Sequence, residues 1–142
     1  LDNPIKITRF SSKTITFTGA ANLGQAATNA TVFTVTGDIL IVSLIPTCTV
    51  DLGVAVAGGT CALTVTSKTA FFNAATLSID IDAGDVWFGT APDINAIAVP
   101  AGFKDIWCTD NIIVANATQN TNAGAIRFDM YWVPLSSDAA VT

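Results

Sequence analysis

The sequence predicts an all-β protein, an antiparallel β-sandwich of jelly-roll-like form with little or no helix. Three observations carry that prediction. Threonine alternates with apolar residues, as in Thr31-Val32-Phe33-Thr34-Val35-Thr36, and a period of two is the mark of a strand with one buried face. Strand-like runs are interrupted about every ten residues by Gly, Asn, Asp or Pro, the residues that tight turns require. All eleven carboxylates are aspartate and none is glutamate, a bias that favours turns over helices. Sandwich, jelly roll and small barrel all satisfy this pattern, and the sequence does not fix the topology.

Taken in order, Ile5-Lys6-Ile7-Thr8-Arg9-Phe10 and Thr14-Ile15-Thr16-Phe17-Thr18 read as two short strands. Residues 19–29 are small and polar with no apolar face, and read as a loop that is mobile or ordered only by a partner. With Gly37-Asp38 as a two-residue turn, Val35 faces Leu40, Phe33 faces Val42 and Thr31 faces Leu44, while Thr36/Ile39 and Thr34/Ile41 share the other face. With Gly58-Gly59 as a second turn, Val56 faces Cys61, Val54 faces Leu63 and Leu52 faces Val65. A slip of one residue would spoil that match. This register turns Cys48 and Cys61 inward but sets them about 26 Å apart along one ladder, beyond disulfide reach.

Residues 69–77 are ambiguous between a helical turn and a crossing loop. Val86-Trp87-Phe88 reads as a strand, residues 93–99 as a brief edge strand between Pro92 and Pro100, and residues 103–108 and 112–115 as two more. In the last strand, residues 125–133, Ile126, Phe128, Met130 and Trp132 take one face, and Arg127, Asp129 and Tyr131 the other. Residues 136–142 are expected to form a frayed, flexible tail. Residues 1–142 make a single domain, and the start, Leu1-Asp2-Asn3-Pro4, lacks both an initiator Met and the character of a signal peptide.

Composition narrows the function. The chain has no histidine, the side chain that most often moves protons in catalysis, and charged residues make up only 12% of it. Neutral hydroxyls and amides cost less to desolvate than ions, so a Thr/Asn/Ser surface suits extensive protein contact; a tight core rich in Ala and Thr explains the same composition. A net charge of −5 with no basic cluster argues against nucleic acid, and the longest apolar run, residues 39–45, is too short to span a membrane. Three cysteines, Cys48, Cys61 and Cys108, are an odd number and read as small core residues in a reduced compartment.

Candidate chemistry is sparse. Asp80, Asp82 and Asp85 form the densest carboxylate cluster and could supply oxygen ligands to a hard cation, although a strand end followed by an Asp/Gly turn accounts for them equally simply. No Ser-x-x-Lys or Gly-x-Ser-x-Gly spacing occurs, no cofactor motif is present, and the chain reads as a non-enzyme. The glycosylation triplets Asn29-Ala30-Thr31 and Asn116-Ala117-Thr118 read as coincidence in an Asn/Thr-rich chain. Trp87, Trp107 and Trp132 could line a carbohydrate site; only Trp132 lies on a clear apolar parity, which points it to the core.

Three segments together resemble small head proteins of tailed bacteriophages. They are Thr31-Val32-Phe33-Thr34-Val35-Thr36-Gly37-Asp38-Ile39-Leu40-Ile41, the turn Ile81-Asp82-Ala83-Gly84-Asp85-Val86-Trp87, and Gly124-Ala125-Ile126-Arg127-Phe128-Asp129-Met130-Tyr131-Trp132-Val133-Pro134-Leu135. They span most of the chain while covering about a fifth of it, and Cys48 and Cys61 stand outside the pattern. The resemblance implies a capsid decoration (cement) protein, made in the bacterial cytoplasm and carried as a homotrimer on the outer surface of the virion, where it bridges major capsid subunits. On that reading residues 1–12 are a capsid-binding arm, and Ile5, Ile7, Phe10, Leu23 and Gln25 contact the capsid or a sister subunit. A receptor- or glycan-binding head or fibre module, a tail-tube subunit and a hydrolase are the competing readings.

Overall fold

The computed structural model describes residues 7–54, 57–94 and 97–142. Its strands, in chain order, are β1 (Arg9–Thr16), β2 (Asn29–Phe33), β3 (Val35–Thr36), β4 (Ile39–Val54), β5 (Thr60–Val65), β6 (Thr76–Leu77), β7 (Lys104–Cys108), β8 (Ile112–Ala117), β9 (Thr121–Pro134) and β10 (Ala140–Val141). Single 3-10 turns at Ser78–Asp80 and Ala101–Phe103 are the helical elements among the described residues, and neither is long enough to cross a membrane.

Two four-stranded antiparallel sheets run in the orders β1-β9-β4-β7 and β2-β8-β5-β6, and β3 and β10 form a separate ribbon. The pairings are nested: β1 with β9, β2 with β8, β4 with β7, and innermost β5 with β6. The chain is thus doubled on itself as one long hairpin and rolled so that successive nested pairs fall in opposite sheets. The inner faces meet in one core that includes Phe17, Phe33, Ile39, Ile41, Leu44, Leu63, Trp87, Phe103, Val114, Ile126 and Phe128. β9 supplies it with Ile126, Phe128, Met130 and Trp132 and turns Arg127 and Tyr131 outward, as the alternation requires.

Neither expected hairpin forms. β4 pairs with β9 and β7, and β5 with β8 and β6, so Gly37-Asp38 and Gly58-Gly59 are crossings from one sheet to the other. In β4 Ile39 and Ile41 are buried and Leu40 and Val42 half-buried, and the register shift between Ile41 and Ser43 brings Leu44 onto the buried face. Gly37 needs its left-handed φ of 66°, and a Cβ there would meet Ser136 and Asp138 of the C-terminal segment. Val56, the outermost residue of the second hairpin, lies outside the described residues.

Pro46 sits within β4, where a proline removes a ladder hydrogen bond. β7 pairs with β4 only from Ile39 to Ser43, so beyond that point the far edge of β4 is vacated. The acidic turn takes that place: the Trp87 amide donates to the Pro46 carbonyl at 2.8 Å, and the Cys48 amide to the Asp85 carbonyl at 2.8 Å. Val86 therefore makes isolated bridges to Thr47 and Asp93 rather than the expected strand at residues 86–88.

The C-terminal segment, expected to fray, is tied down. Ala140 and Val141 pair with Thr36 and Val35, and the Thr34 and Thr142 backbones bond each other reciprocally at 2.8 and 3.0 Å.

Candidate functional site

The outer face of the β1-β9-β4-β7 sheet carries an apolar band at one end. Register places Phe10 of β1 opposite Tyr131 of β9, and Val133 of β9 opposite Leu40 of β4. The Phe10 and Tyr131 rings pack at 5.0 Å between centroids, yet the two remain 56% and 45% exposed. Ile7, just before β1, is 68% exposed, and Leu135, just after β9, is also exposed. Below this band the face turns polar, with Ser12 donating to Asp129 at 2.6 Å and Arg127 paired with the same carboxylate at 2.9 Å.

Of the residues expected to touch a capsid or sister subunit, Ile7 and Phe10 therefore share one end of the sheet. Ile5 lies outside the described residues. Leu23 and Gln25 are exposed but sit beyond the other end of β1, past some six residues or roughly 20 Å of strand. Tyr131, Leu40 and Val133 are the members of the band that the sequence did not single out, although the alternation in β9 had already turned Tyr131 outward.

The loop that carries Leu23 and Gln25 is held by its own chain. The Thr18 amide donates to the Leu23 carbonyl, the Ala26 amide to Asn120 Oδ1, and the Thr121 amide to the Gly24 carbonyl, at 2.9, 2.9 and 2.8 Å. Gly24 adopts a φ of 108°, and a Cβ there would lie 2.0 Å from the Thr121 carbonyl oxygen. The expectation of a loop that is mobile or ordered only by a partner does not hold.

The aspartates do not converge. Asp85 is buried and its Oδ2 accepts from the Asp82 amide at 3.0 Å, closing the turn, while Asp51 Oδ1 accepts from the Ala83 amide at 2.6 Å. Among the described residues no group of three or more His, Cys, Asp or Glu side chains is placed to hold a metal ion.

All three cysteines are buried and free. Burial pushes the Cys48 thiol up to about 11, helped by Asp51, Asp85 and Asp82 and opposed by a hydrogen bond to the Val50 carbonyl. Burial also pushes Cys61 up to about 12 against a bond from Ser78, and Cys108 is raised for the same reason. Cys48 adds to the Cys61 shift, and the two lie on strands of opposite sheets, β4 and β5. Their expected separation along one ladder falls with the hairpin that implied it. Near neutral pH these thiols are protonated and offer no nucleophile.

Cys61 borders a buried polar network in which Ser78 Oγ and Thr121 Oγ1 are 2.8 Å apart and Asn116 Nδ2 donates to Thr121 Oγ1 at 3.2 Å. Asn116 is thus enclosed and cannot accept a glycan in the folded chain, whereas Asn29 is exposed on an edge strand. The tryptophans divide. Trp87 is fully buried with its indole N–H donating to Thr76 Oγ1 at 2.9 Å, Trp132 is buried and donates to Ser11 Oγ at 3.0 Å, and Trp107 is 64% exposed on β7. Against known protein families, curated proteins and solved structures, the chain shows no significant match.

Proposed function

We propose that this protein is a virion structural protein that decorates and stabilises an icosahedral phage capsid, binding across major capsid subunits as a homotrimer. The observation that carries the reading is the apolar band of Phe10, Tyr131, Leu40 and Val133 on the outer face of one sheet in a chain with little charge. Exposed apolar residues grouped on one face, rimmed by polar ones, mark a surface built to be covered. The nested order of eight strands supports it further, since that winding is the one by which a jelly roll is made, an architecture recurrent in capsid and lectin domains. Mechanically the effect is linkage: a ligand that binds only the assembled lattice stabilises that lattice by its binding free energy.

The test begins with copy number. Quantitative mass spectrometry of purified particles is expected to find hundreds of copies per virion, and a handful would assign the chain to a fibre tip instead. Phe10→Thr combined with Tyr131→Thr is expected to lower binding to undecorated heads at least roughly tenfold with the fold retained, because the band is solvent-facing in the free protein and threonine suits an exposed strand. Undiminished binding by this variant would remove the band from the interface, and undiminished binding after deletion of residues 1–5 would remove the arm.

A further inference from the structure

On the far edge of the same sheet, the turn after β5 and the loop between β7 and β8 enclose a cleft of about 320 Å³. Ser67, Lys68, Phe71, Trp107, Thr109 and Asp110 give it its chemistry. Trp107 is on the outward parity of β7, paired with Leu40, and is the exposed tryptophan of the described residues. Phe71 is partly exposed, with the Lys68 ammonium 5.9 Å from its ring centroid. Asp110 Oδ2 accepts from the Ser67 hydroxyl, and the residue is only half-buried.

We infer that this cleft binds a neutral sugar ring, with Trp107 as the stacking platform and Asp110, Thr109 and Lys68 as hydrogen-bonding partners of its hydroxyls. A pyranose has an apolar C–H face and a polar rim, and the cleft offers the complement of both. An apolar side chain seated there would strip water from a carboxylate and an ammonium and give them nothing in return. A nucleotide or other anion would meet Asp110 on a chain whose net charge is −5. The volume lies at the low end of the roughly 300–1,000 Å³ of small-molecule sites, enough for one ring or the end of a chain. The cleft meets the apolar band at Trp107, which pairs with Leu40, while Asp110, Thr109 and Lys68 lie outside the band. Asp110→Asn is therefore the variant that separates loss of sugar binding from loss of head binding.

Saturation-transfer NMR on the intact protein tests this with methyl α-glucoside, methyl α-mannoside, methyl β-galactoside and N-acetylglucosamine as probes and open-chain sorbitol as control. At least one glycoside is expected to receive saturation on its ring C–H protons while sorbitol receives none, with a dissociation constant of roughly millimolar order for so small a ligand. Trp107→Ala is expected to abolish the transfer and Asp110→Asn to weaken binding at least roughly fivefold, both at unchanged melting temperature, since each side chain reaches solvent. A second reading uses the burial of Trp87 and Trp132: iodide quenching reports Trp107, and bound glycoside is expected to reduce it. No transfer to any of the four glycosides, or transfer undiminished in Trp107→Ala, would overturn the inference.

Discussion

At the scale of single residues, the thiols make stability depend on alkaline pH. Cys48 and Cys61 are raised from an ordinary value of 9.0 to about 11 and about 12. Below pH 9 both the folded and unfolded chains hold these protons, and the stabilisation is fully present. As pH rises above 9 the unfolded chain ionises and the folded one does not, so stability falls until pH passes the folded values. One pKa unit is worth about 1.4 kcal/mol, so Cys61, with the larger shift, carries the larger part. Melting temperature is expected to decline between pH 9 and 11 in the wild type. Cys61→Ala is expected to start lower, by about 1–2 kcal/mol for the lost packing, but to decline less steeply. Parallel slopes in a calorimetric pH series would contradict this. The sequence showed that Cys48 and Cys61 point inward. It could not show that they lie on strands of opposite sheets, because that depends on which partner each strand finds.

At the scale of elements, the parity of each strand was legible and its partner was not. Leu52, Leu63 and Val65 are buried, as the alternation around Gly58-Gly59 required. That alternation is the same whether two strands lie side by side in one sheet or face each other across a sandwich. The register match was real complementarity read in the wrong dimension. Around Gly37-Asp38 the alternation names no buried face, because in Ile39-Leu40-Ile41-Val42 both parities are apolar. Phe10 is named only through the resemblance, as part of the N-terminal arm, and the fold sets it on the outward parity of β1 opposite Tyr131. Leu40 and Val133 could not be named, since each looks like core until its strand is placed. The edge strand β1 meanwhile shows why its free edge does not invite pairing. Arg9 and Lys13 lie opposite Trp132 and Phe128 on the inward parity, with the Arg9 guanidinium 5.3 Å from the Trp132 ring, and inward charges on an edge obstruct another strand. The loop after β1 depends on one glycine. Gly24→Ala forces a side chain into left-handed backbone and against the Thr121 carbonyl. It is expected to cost about 1–3 kcal/mol and to raise hydrogen exchange at the Thr121 amide selectively. Unchanged exchange there would mean that the loop is not anchored through Gly24.

At the scale of the whole molecule, nesting makes the fold an all-or-none proposition. β1 pairs only with β9, so residue 9 finds its partner at residue 132, and β4 has β9 as its neighbour along most of its length. A chain that has formed β1 to β8 still lacks the strand that joins β1 to β4, and with it Ile126, Phe128, Met130 and Trp132 of the core. Contacts this distant in sequence pay their loop-closure entropy before they return any stability, which places folding in the roughly millisecond-to-second range of non-local β proteins. A fragment ending at residue 120 is therefore expected to show no cooperative thermal transition and no near-ultraviolet signal from Trp87, whose fixed environment in the core depends on the closed sandwich. Adding a peptide of residues 121–142 in trans is expected to restore that signal by supplying β9 and β10. A sharp, reversible melt by the fragment alone would show that the inner strand pairs form a stable core without the outermost one, and that nesting does not govern how this chain folds.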